Sequence, residues 1–217
     1  MNRLLAFVAL VASALTVGCA ELTQAVAPPI NFGEPQVLRY ETTRLENVTL
    51  ILNLWERTYA VPGASTTEVG NNLNAFRRTG SGHGPYRASS KWDSKWGLRY
   101  ADEPQGCRIA NATVEIVGVV TLPALASPKA LDDGELARWE AFRTNLRAHE
   151  LHHVDNEVEG ARRLQSALVA LPYQETCRAV GDAAKALVQI EEQAILEADL
   201  RLDAETKHGA LTGATFP

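Results

Sequence analysis

Five consecutive residues in the second half of the chain have the side chains of a metal site and of a base. They are His149-Glu150-Leu151-His152-His153, a His-Glu-x-x-His pattern. On a helix, His149 and His153 lie about 40° apart around the axis and one turn apart along it, so two imidazoles can bind one Zn²⁺. Zinc lowers the pKa of its water ligand to about 7, and Glu150 would take the proton of that water. The pattern therefore predicts hydrolysis of an amide bond with a zinc cofactor.

A catalytic zinc usually has three protein ligands, and the spacing leaves the third one open. Glu157 lies one turn beyond His153 on the same helix face, although it is better suited there to orient an imidazole. A second predicted helix offers Glu191 and Glu192, and its far end offers His208. These alternatives stay open, because residue spacing alone does not tell how two helices cross.

Other residues around the pattern argue against one class of zinc protease. The metzincin continuation requires Gly at position 156 and His or Asp at position 159, where the chain has Asn156 and Glu159. His152 lies off the apolar stripe of the helix, and only His149 and His153 bracket Glu150 in the catalytic spacing. We therefore interpret His152 as a flanking residue.

Long helices are predicted around these residues. Residues 133–171 contain no proline, and Pro172 ends the segment. Apolar residues recur in it at helical spacing: Leu136, Trp139, Phe142, Leu146, Ala161, Leu164 and Leu168. Residues 175–207 are predicted as a second long helix, which ends at Gly209.

The first half of the chain has the patterns of strands. Residues 47–61, 86–100 and 107–122 are rich in β-branched and aromatic residues and are bounded by turn residues. A capping box predicts a short helix over residues 65–77, and glycines predict a loop over 79–85. Strands followed by helices indicate an α+β domain, with a small, mostly antiparallel sheet and two long helices, the first carrying the His-Glu-x-x-His pattern.

The N-terminus has the pattern of an export signal. Arg3 precedes an apolar stretch over residues 4–17, which is too short to span a membrane and fits the hydrophobic region of a signal peptide. The sequence up to Gly18-Cys19 resembles a bacterial lipobox, in which the thiol of Cys19 receives a lipid. The alternative is ordinary signal cleavage after Ala20.

This pattern predicts the organisation of the chain and its location. We expect a signal peptide over residues 1–18, the lipidated Cys19 with a tether over 19–40, and one domain over 41–217. The protein would be exported to the periplasm and held at the outer membrane by its lipid, or otherwise secreted.

The composition and the number of cysteines indicate which kinds of partner the protein has and in which cellular compartment it folds. Lys and Arg number 21 and Asp and Glu number 26, and this net charge of −5 argues against nucleic acid as a partner. If Cys19 carries a lipid, Cys107 and Cys177 remain as a pair in an oxidising compartment. We predict a disulfide between them; the alternative is two buried thiols.

Several separated motifs together resemble a bacterial family of predicted secreted zinc-dependent proteases (domain of unknown function 922). The likeness covers about residues 47–217. Its motifs are Tyr59-x-Val61-x-Gly63, Trp92-x-x-x-Trp96, Gly106-Cys107-Arg108-Ile109-Ala110, Thr121-Leu122-Pro123, Arg147-x-His149-Glu150-x-x-His153 and Asp203-x-x-Thr206-x-His208-Gly209-Ala210.

The resemblance implies a zincin-like fold, with a small sheet beside the helix that carries the zinc ligands. It also favours His208 over Glu192 as the third ligand. One position departs from the expected pattern, because Leu202 stands where a Tyr is expected before the Asp. The family brings no known substrate with it.

The leading hypothesis is an envelope-anchored zinc metallopeptidase that acts on peptide or protein substrates. His149, His153 and His208 would bind the metal, Glu150 would be the base, and residues 107–122 would be the edge strand that holds a peptide. The alternative is a zinc-binding envelope lipoprotein without turnover, and a third hypothesis is hydrolysis of another envelope amide, such as a peptidoglycan cross-link. Glu150 separates enzyme from structural site, because only an enzyme needs its carboxylate.

Overall fold

The computed structural model describes residues 32–79 and 87–216. The expected signal peptide, Cys19, the tether up to residue 31 and nearly all of the expected loop 79–85 lie outside the described residues. Within the described ranges, no helix combines the length and apolar character needed to span a membrane.

Four strands form the sheet: β1 (Gln36–Leu45), β2 (Val48–Val61), β3 (Ser89–Glu103) and β4 (Gly106–Leu125). Their order across the sheet is β1-β2-β4-β3. β2 and β4 are parallel, and the other two neighbouring pairs are antiparallel, so the expected mostly antiparallel sheet is confirmed, with one parallel pair that was not predicted. β1 was not predicted, and it begins at Gln36, before the expected start of the domain at residue 41.

The central position of β4 corrects one prediction. Residues 107–122 were expected to be an edge strand, but β4 pairs with β2 on one side and with β3 on the other. Its β-branched residues alternate between buried and half-buried positions, which is the pattern of a strand enclosed by neighbours. β1 and β3 are the edge strands, and the Lys, Asp and Ser residues of β3 suit a solvated edge.

Three helices complete the domain: α1 (Thr66–Thr79), α2 (Asp133–Val169) and α3 (Cys177–Thr206). The predicted helices agree with them to within a few residues. α2 begins with a capping box, in which the Asp132 side chain accepts from the Glu135 amide and Glu135 accepts from the Asp132 amide. α3 ends at Lys207, which adopts the left-handed conformation with φ 50°.

The core lies between one face of the sheet and α2. Leucines 50, 52 and 54 of β2 and Val114 of β4 are almost fully buried there. At the start of α2, Trp139 packs edge-on against Phe216 with ring centroids 5.4 Å apart. This contact folds the segment after α3 back onto α2, and that segment carries His208.

The predicted disulfide between Cys107 and Cys177 is present, with Cα atoms 5.0 Å apart. Beside it, the amide of Cys107 donates to the Gln174 carbonyl at 2.8 Å, and the Gln174 amide donates to the Cys107 carbonyl at 2.9 Å. Together these bonds attach the turn between α2 and α3 to the start of β4. They help to fix how α3 lies against α2 and the sheet.

Candidate metal centre

Two antiparallel helices bring their polar residues together over the edge of the sheet. His149 and His153 of α2 face Asp203 and Asp199 of α3, and further along the pair Arg163 Nε donates to Glu191 at 2.9 Å. Residues of increasing number on α2 contact residues of decreasing number on α3, as expected for antiparallel packing. Polar residues spaced one turn apart on each helix therefore meet at one place.

His149, His153 and Asp203 form the group that could hold a metal ion within the described part of the chain. One ligand atom from each lies within 4.8 Å of the other two. Oδ1 of Asp203 is 3.1 Å from Nε2 of His149 and 3.4 Å from Nε2 of His153. Two imidazole nitrogens and one carboxylate oxygen are a donor set that zinc accepts.

The spacing of these atoms fits a tetrahedral ion. Zinc bonds of about 2.1 Å at tetrahedral angles put neighbouring ligand atoms roughly 3.3 Å apart. The two distances from Asp203 Oδ1, 3.1 and 3.4 Å, lie on either side of that value. Two of the three separations between ligand atoms therefore match a tetrahedral zinc site, and the third lies within 4.8 Å.

The other nitrogen of each imidazole has a partner of its own. His153 Nδ1 lies 2.8 Å from Asp199 Oδ1, which also accepts from the Asn156 amide at 2.8 Å. His149 Nδ1 lies 3.4 Å from Thr206 Oγ1. Thr206 already donates its hydroxyl hydrogen to the Leu202 carbonyl at 2.7 Å, so the hydrogen in its contact with His149 comes from Nδ1.

With a metal between the histidines and Asp203, each imidazole would donate from Nδ1 and keep its lone pair on Nε2, the atom that faces Asp203. A metal-binding histidine typically donates its other ring hydrogen to an oxygen that fixes its tautomer and orientation. Asp199 and Thr206 have oxygens in those positions. Contacts within the protein therefore orient both imidazoles toward Asp203.

The two histidines have pKa values shifted in opposite directions. Burial, followed by the nearby His153, lowers the pKa of His149. Burial also opposes protonation of His153, but its hydrogen bond and charge interaction with Asp199 raise the pKa above its ordinary value overall. His149 is accordingly the readier of the two to be neutral at pH 7, the state in which it can bind a metal.

The side chain of Glu150 lies between its own helix, α2, and the edge strand β3. It is 6% exposed, and its Oε2 accepts a hydrogen bond of 2.6 Å from the hydroxyl of Ser90 on β3. Burial raises the pKa of Glu150, although the Ser90 bond and the charge of His153 act in the opposite direction. A carboxyl with a raised pKa is suited to accept and return a proton near neutral pH.

The alternatives for the third ligand lie elsewhere. His208 is outside the group of three: its side chain is 52% exposed, and its Nδ1 is 3.3 Å from Oδ2 of Asp203. Glu157 and Glu192 line a neighbouring pocket, and Glu191 is paired with Arg163. His208 as a metal ligand therefore stays a prediction.

Asp203 and Asp199 were missed as site residues by the sequence reasoning, which used Asp203 only as part of a family motif. One signal was available. Asp199 and Asp203 are spaced four residues apart, the same spacing as His149 and His153 on the other helix. Two pairs with equal spacing on antiparallel helices can form two layers of contacts, and the structure has such contacts.

Comparison with protein families identifies the chain as a member of one family. The family described as "Bacterial protein of unknown function (DUF922)" matches residues 56–209, and the chain belongs to it. This confirms the family resemblance drawn from the motifs. Comparisons with curated proteins and with solved structures found no match.

Proposed function

We propose that this protein is a zinc metallopeptidase, with His149, His153 and Asp203 as metal ligands and Glu150 as general base. One observation carries the proposal. Both imidazoles direct Nε2 to the same oxygen of Asp203, at 3.1 and 3.4 Å, while oxygens of Asp199 and Thr206 lie beside their Nδ1 atoms. The proposal replaces His208 by Asp203 as the third ligand, because Asp203 belongs to the group and His208 does not.

The chain's own residues would divide the work of hydrolysis. Zinc, when bound, lowers the pKa of a water and polarises a carbonyl oxygen. Glu150 would take a proton from the attacking water and deliver it to the nitrogen of the leaving amine. The Ser90 hydroxyl, 2.6 Å from Oε2, would hold the Glu150 carboxylate in position through both transfers.

The position of β3 supports a peptide as the substrate. β3 contributes Ser90 to the site and is an edge strand, with β4 as its neighbour in the sheet. An extended peptide can add to such an edge through backbone hydrogen bonds. A peptide bound there would lie beside the carboxylate of Glu150.

The cellular setting belongs to the proposal as well. The disulfide between Cys107 and Cys177 supports an oxidising compartment. We propose that the protein acts in the cell envelope, anchored through a lipid on Cys19, on peptide or protein substrates.

Two measurements test the proposal. Metal per purified chain, by plasma mass spectrometry, should be near one zinc, with a clear loss in Asp203→Ala and little loss in His208→Ala. Cleavage of a denatured-protein mixture, followed by mass spectrometry, should be abolished by Glu150→Gln with zinc retained. Absence of metal after zinc back-titration would overturn the metal site, and equal cleavage by Glu150→Gln would overturn the assignment of the base.

A second candidate is a non-catalytic zinc-binding envelope protein, and one observation favours it. His208 Nδ1 is 3.3 Å from Asp203 Oδ2, and as a fourth ligand it would close the site to water. In that case His208→Ala would weaken zinc binding, and Glu150→Gln would leave zinc binding unchanged.

A further inference from the structure

A pocket beside the metal centre combines apolar walls with a buried carboxyl group. It has a volume of about 180 Å³ and lies between the inner face of the sheet and the helices α2 and α3. Trp92 and Trp96 of β3 and Ile116 of β4 form part of its wall, and Glu157 of α2 contributes the carboxyl group. A long side chain with an apolar stem and a polar head would match this lining.

Glu157 is a largely buried carboxyl group without a partner among the described residues. It is 8% exposed, and it takes part in no hydrogen bond or ion pair with another residue of the ranges 32–79 and 87–216. Because those ranges hold no side-chain polar atom that is both fully buried and without a hydrogen bond, the carboxyl oxygens of Glu157 reach the open space of the pocket. Burial, followed by the charges of Asp199 and Glu192, raises the pKa of Glu157 to about 7. A carboxylate with little water around it and two further carboxylates nearby would be stabilised by a cationic ligand.

The other charged residues at the pocket do not neutralise Glu157. Glu191 is paired with Arg163 at 2.9 Å. Lys95 has its ammonium 3.9 Å from Asp93, and its side chain is 65% exposed. Glu192 lies exposed at the rim and adds to the negative potential of the pocket. A ligand that complements the negative charge of this pocket would therefore be a cation.

The position of the pocket relates it to the proposed peptide path. Glu157 follows Glu150 by two helical turns on the same side of α2, which is about 10 Å along the axis. On β3, Ser90, Trp92 and Trp96 are separated by even numbers of residues and share one face. An extended peptide rises about 3.3 Å per residue, so the pocket would lie about three residues from the bond that is cleaved.

We propose that this pocket is a subsite for a lysine or arginine side chain of the substrate. The stem of that side chain would pack against Trp92 and Trp96, and its cationic head would bond the carboxylate of Glu157. The inference rests on the proposed peptidase function, since it takes the bound molecule to be a peptide.

The test measures binding apart from cleavage. The zinc-loaded Glu150→Gln protein is titrated with acetylated alanine hexapeptides that carry one lysine or one norleucine, moved through every position, with tryptophan fluorescence as the signal. At one position, lysine should bind about tenfold more tightly than norleucine, the effect of one charge-assisted hydrogen bond. Adding Glu157→Gln should remove that preference, while adding Glu159→Gln, on the exposed face of α2, should keep it.

The outcomes separate the two proposals. Equal binding of lysine and norleucine peptides at every position, no binding of either, or a preference that survives Glu157→Gln would overturn the subsite. The lysine peptides are then incubated with the protein that retains Glu150. If the lysine peptides bind selectively but are not cleaved, the peptidase proposal is overturned and the proposal of a subsite for a cationic side chain stands. If peptides are cleaved but lysine is not preferred, the subsite proposal is overturned and the peptidase proposal stands. Zinc content near that of the unsubstituted protein serves as the check that Glu157→Gln is folded.

Discussion

Nε2 of His149 lies 3.1 Å from Oδ1 of Asp203, a residue 54 positions later in the chain. The same oxygen lies 3.4 Å from Nε2 of His153. A carboxylate oxygen at similar distances from two imidazoles on the neighbouring helix suits a metal site with three protein ligands. The contact also joins the end of α3 to the middle of α2, so metal binding would be coupled to the packing of these two helices.

The two aspartates should differ in their effect on zinc affinity. Asp203→Asn should weaken zinc binding by more than about 100-fold, because it would remove a ligand of the metal. Asp199→Asn should weaken it by about 10-fold to 100-fold, because Asp199 acts by orienting His153. Competition with a chromophoric chelator measures both affinities. Equal effects of the two substitutions would contradict the assignment of Asp203 as the ligand.

Ser90→Ala should shift the pH dependence of cleavage. The Ser90 hydroxyl donates to Glu150 and stabilises its charged form, so its removal raises the pKa of Glu150 further. The base is then protonated up to a higher pH, and the acidic limb of the kcat/KM profile should move upward. Ser89→Ala is the matched control, because its neighbouring position in the strand puts its side chain on the other face of the sheet. An unchanged acidic limb in Ser90→Ala would show that another group controls it.

Glu157 should make stability fall with rising pH. Its pKa is about 7 in the folded protein against an ordinary value of 4.5, so the folded state binds more protons than the unfolded state between these values. The stability it contributes is therefore present at low pH and lost as pH rises through about 7. The shift of about 2.5 pKa units corresponds to about 3.5 kcal/mol at most, at about 1.4 kcal/mol per unit.

Urea unfolding of the metal-free protein at several pH values measures this effect. Glu157→Gln should be more stable than the unsubstituted protein above pH 7, and the gain should shrink as pH falls to about 4.5. Glu159→Gln, an exposed position on the same helix, is the control and should show no such trend. A difference between the two proteins that does not vary with pH would contradict the raised pKa.

Loss of the disulfide should destabilise the domain substantially. The bridge closes a segment with a sequence separation of 70 residues. On the chain-entropy model, a loop of that length contributes about 4 kcal/mol to the free energy of unfolding. Cys107→Ala combined with Cys177→Ala should lower the urea midpoint and raise the slope, because the unfolded chain without the bridge is less compact and exposes more surface. Reduction of the unsubstituted protein should have a similar effect. A midpoint unchanged by either treatment would contradict this stabilising role.

The local features of this protein could be predicted from its sequence because they depend on residues close together in the chain. The long helices follow from apolar spacing over residues 133–171, where proline is absent. The juxtaposition of His149 and His153 follows from the helical repeat alone. Cysteine pairing followed from counting, because the prediction that Cys19 carries a lipid leaves two cysteines for an oxidising compartment. Each of these inferences needs no knowledge of how distant elements pack.

Other features depend on how elements pack, and the sequence pattern does not encode that packing in any local way. The third member of the metal group is Asp203 because the rotation and sliding of α3 against α2 bring it under both imidazoles. The same packing leaves Glu157 at a pocket wall, where spacing had suggested a role beside the metal. β4 lies inside the sheet because it pairs with both β2 and β3, and this leaves β3 at the edge on that side. Which strands pair and which helices touch depends on burial between residues far apart in the chain. A periodic sequence pattern shows which face of an element is buried, but it does not show which other element covers that face.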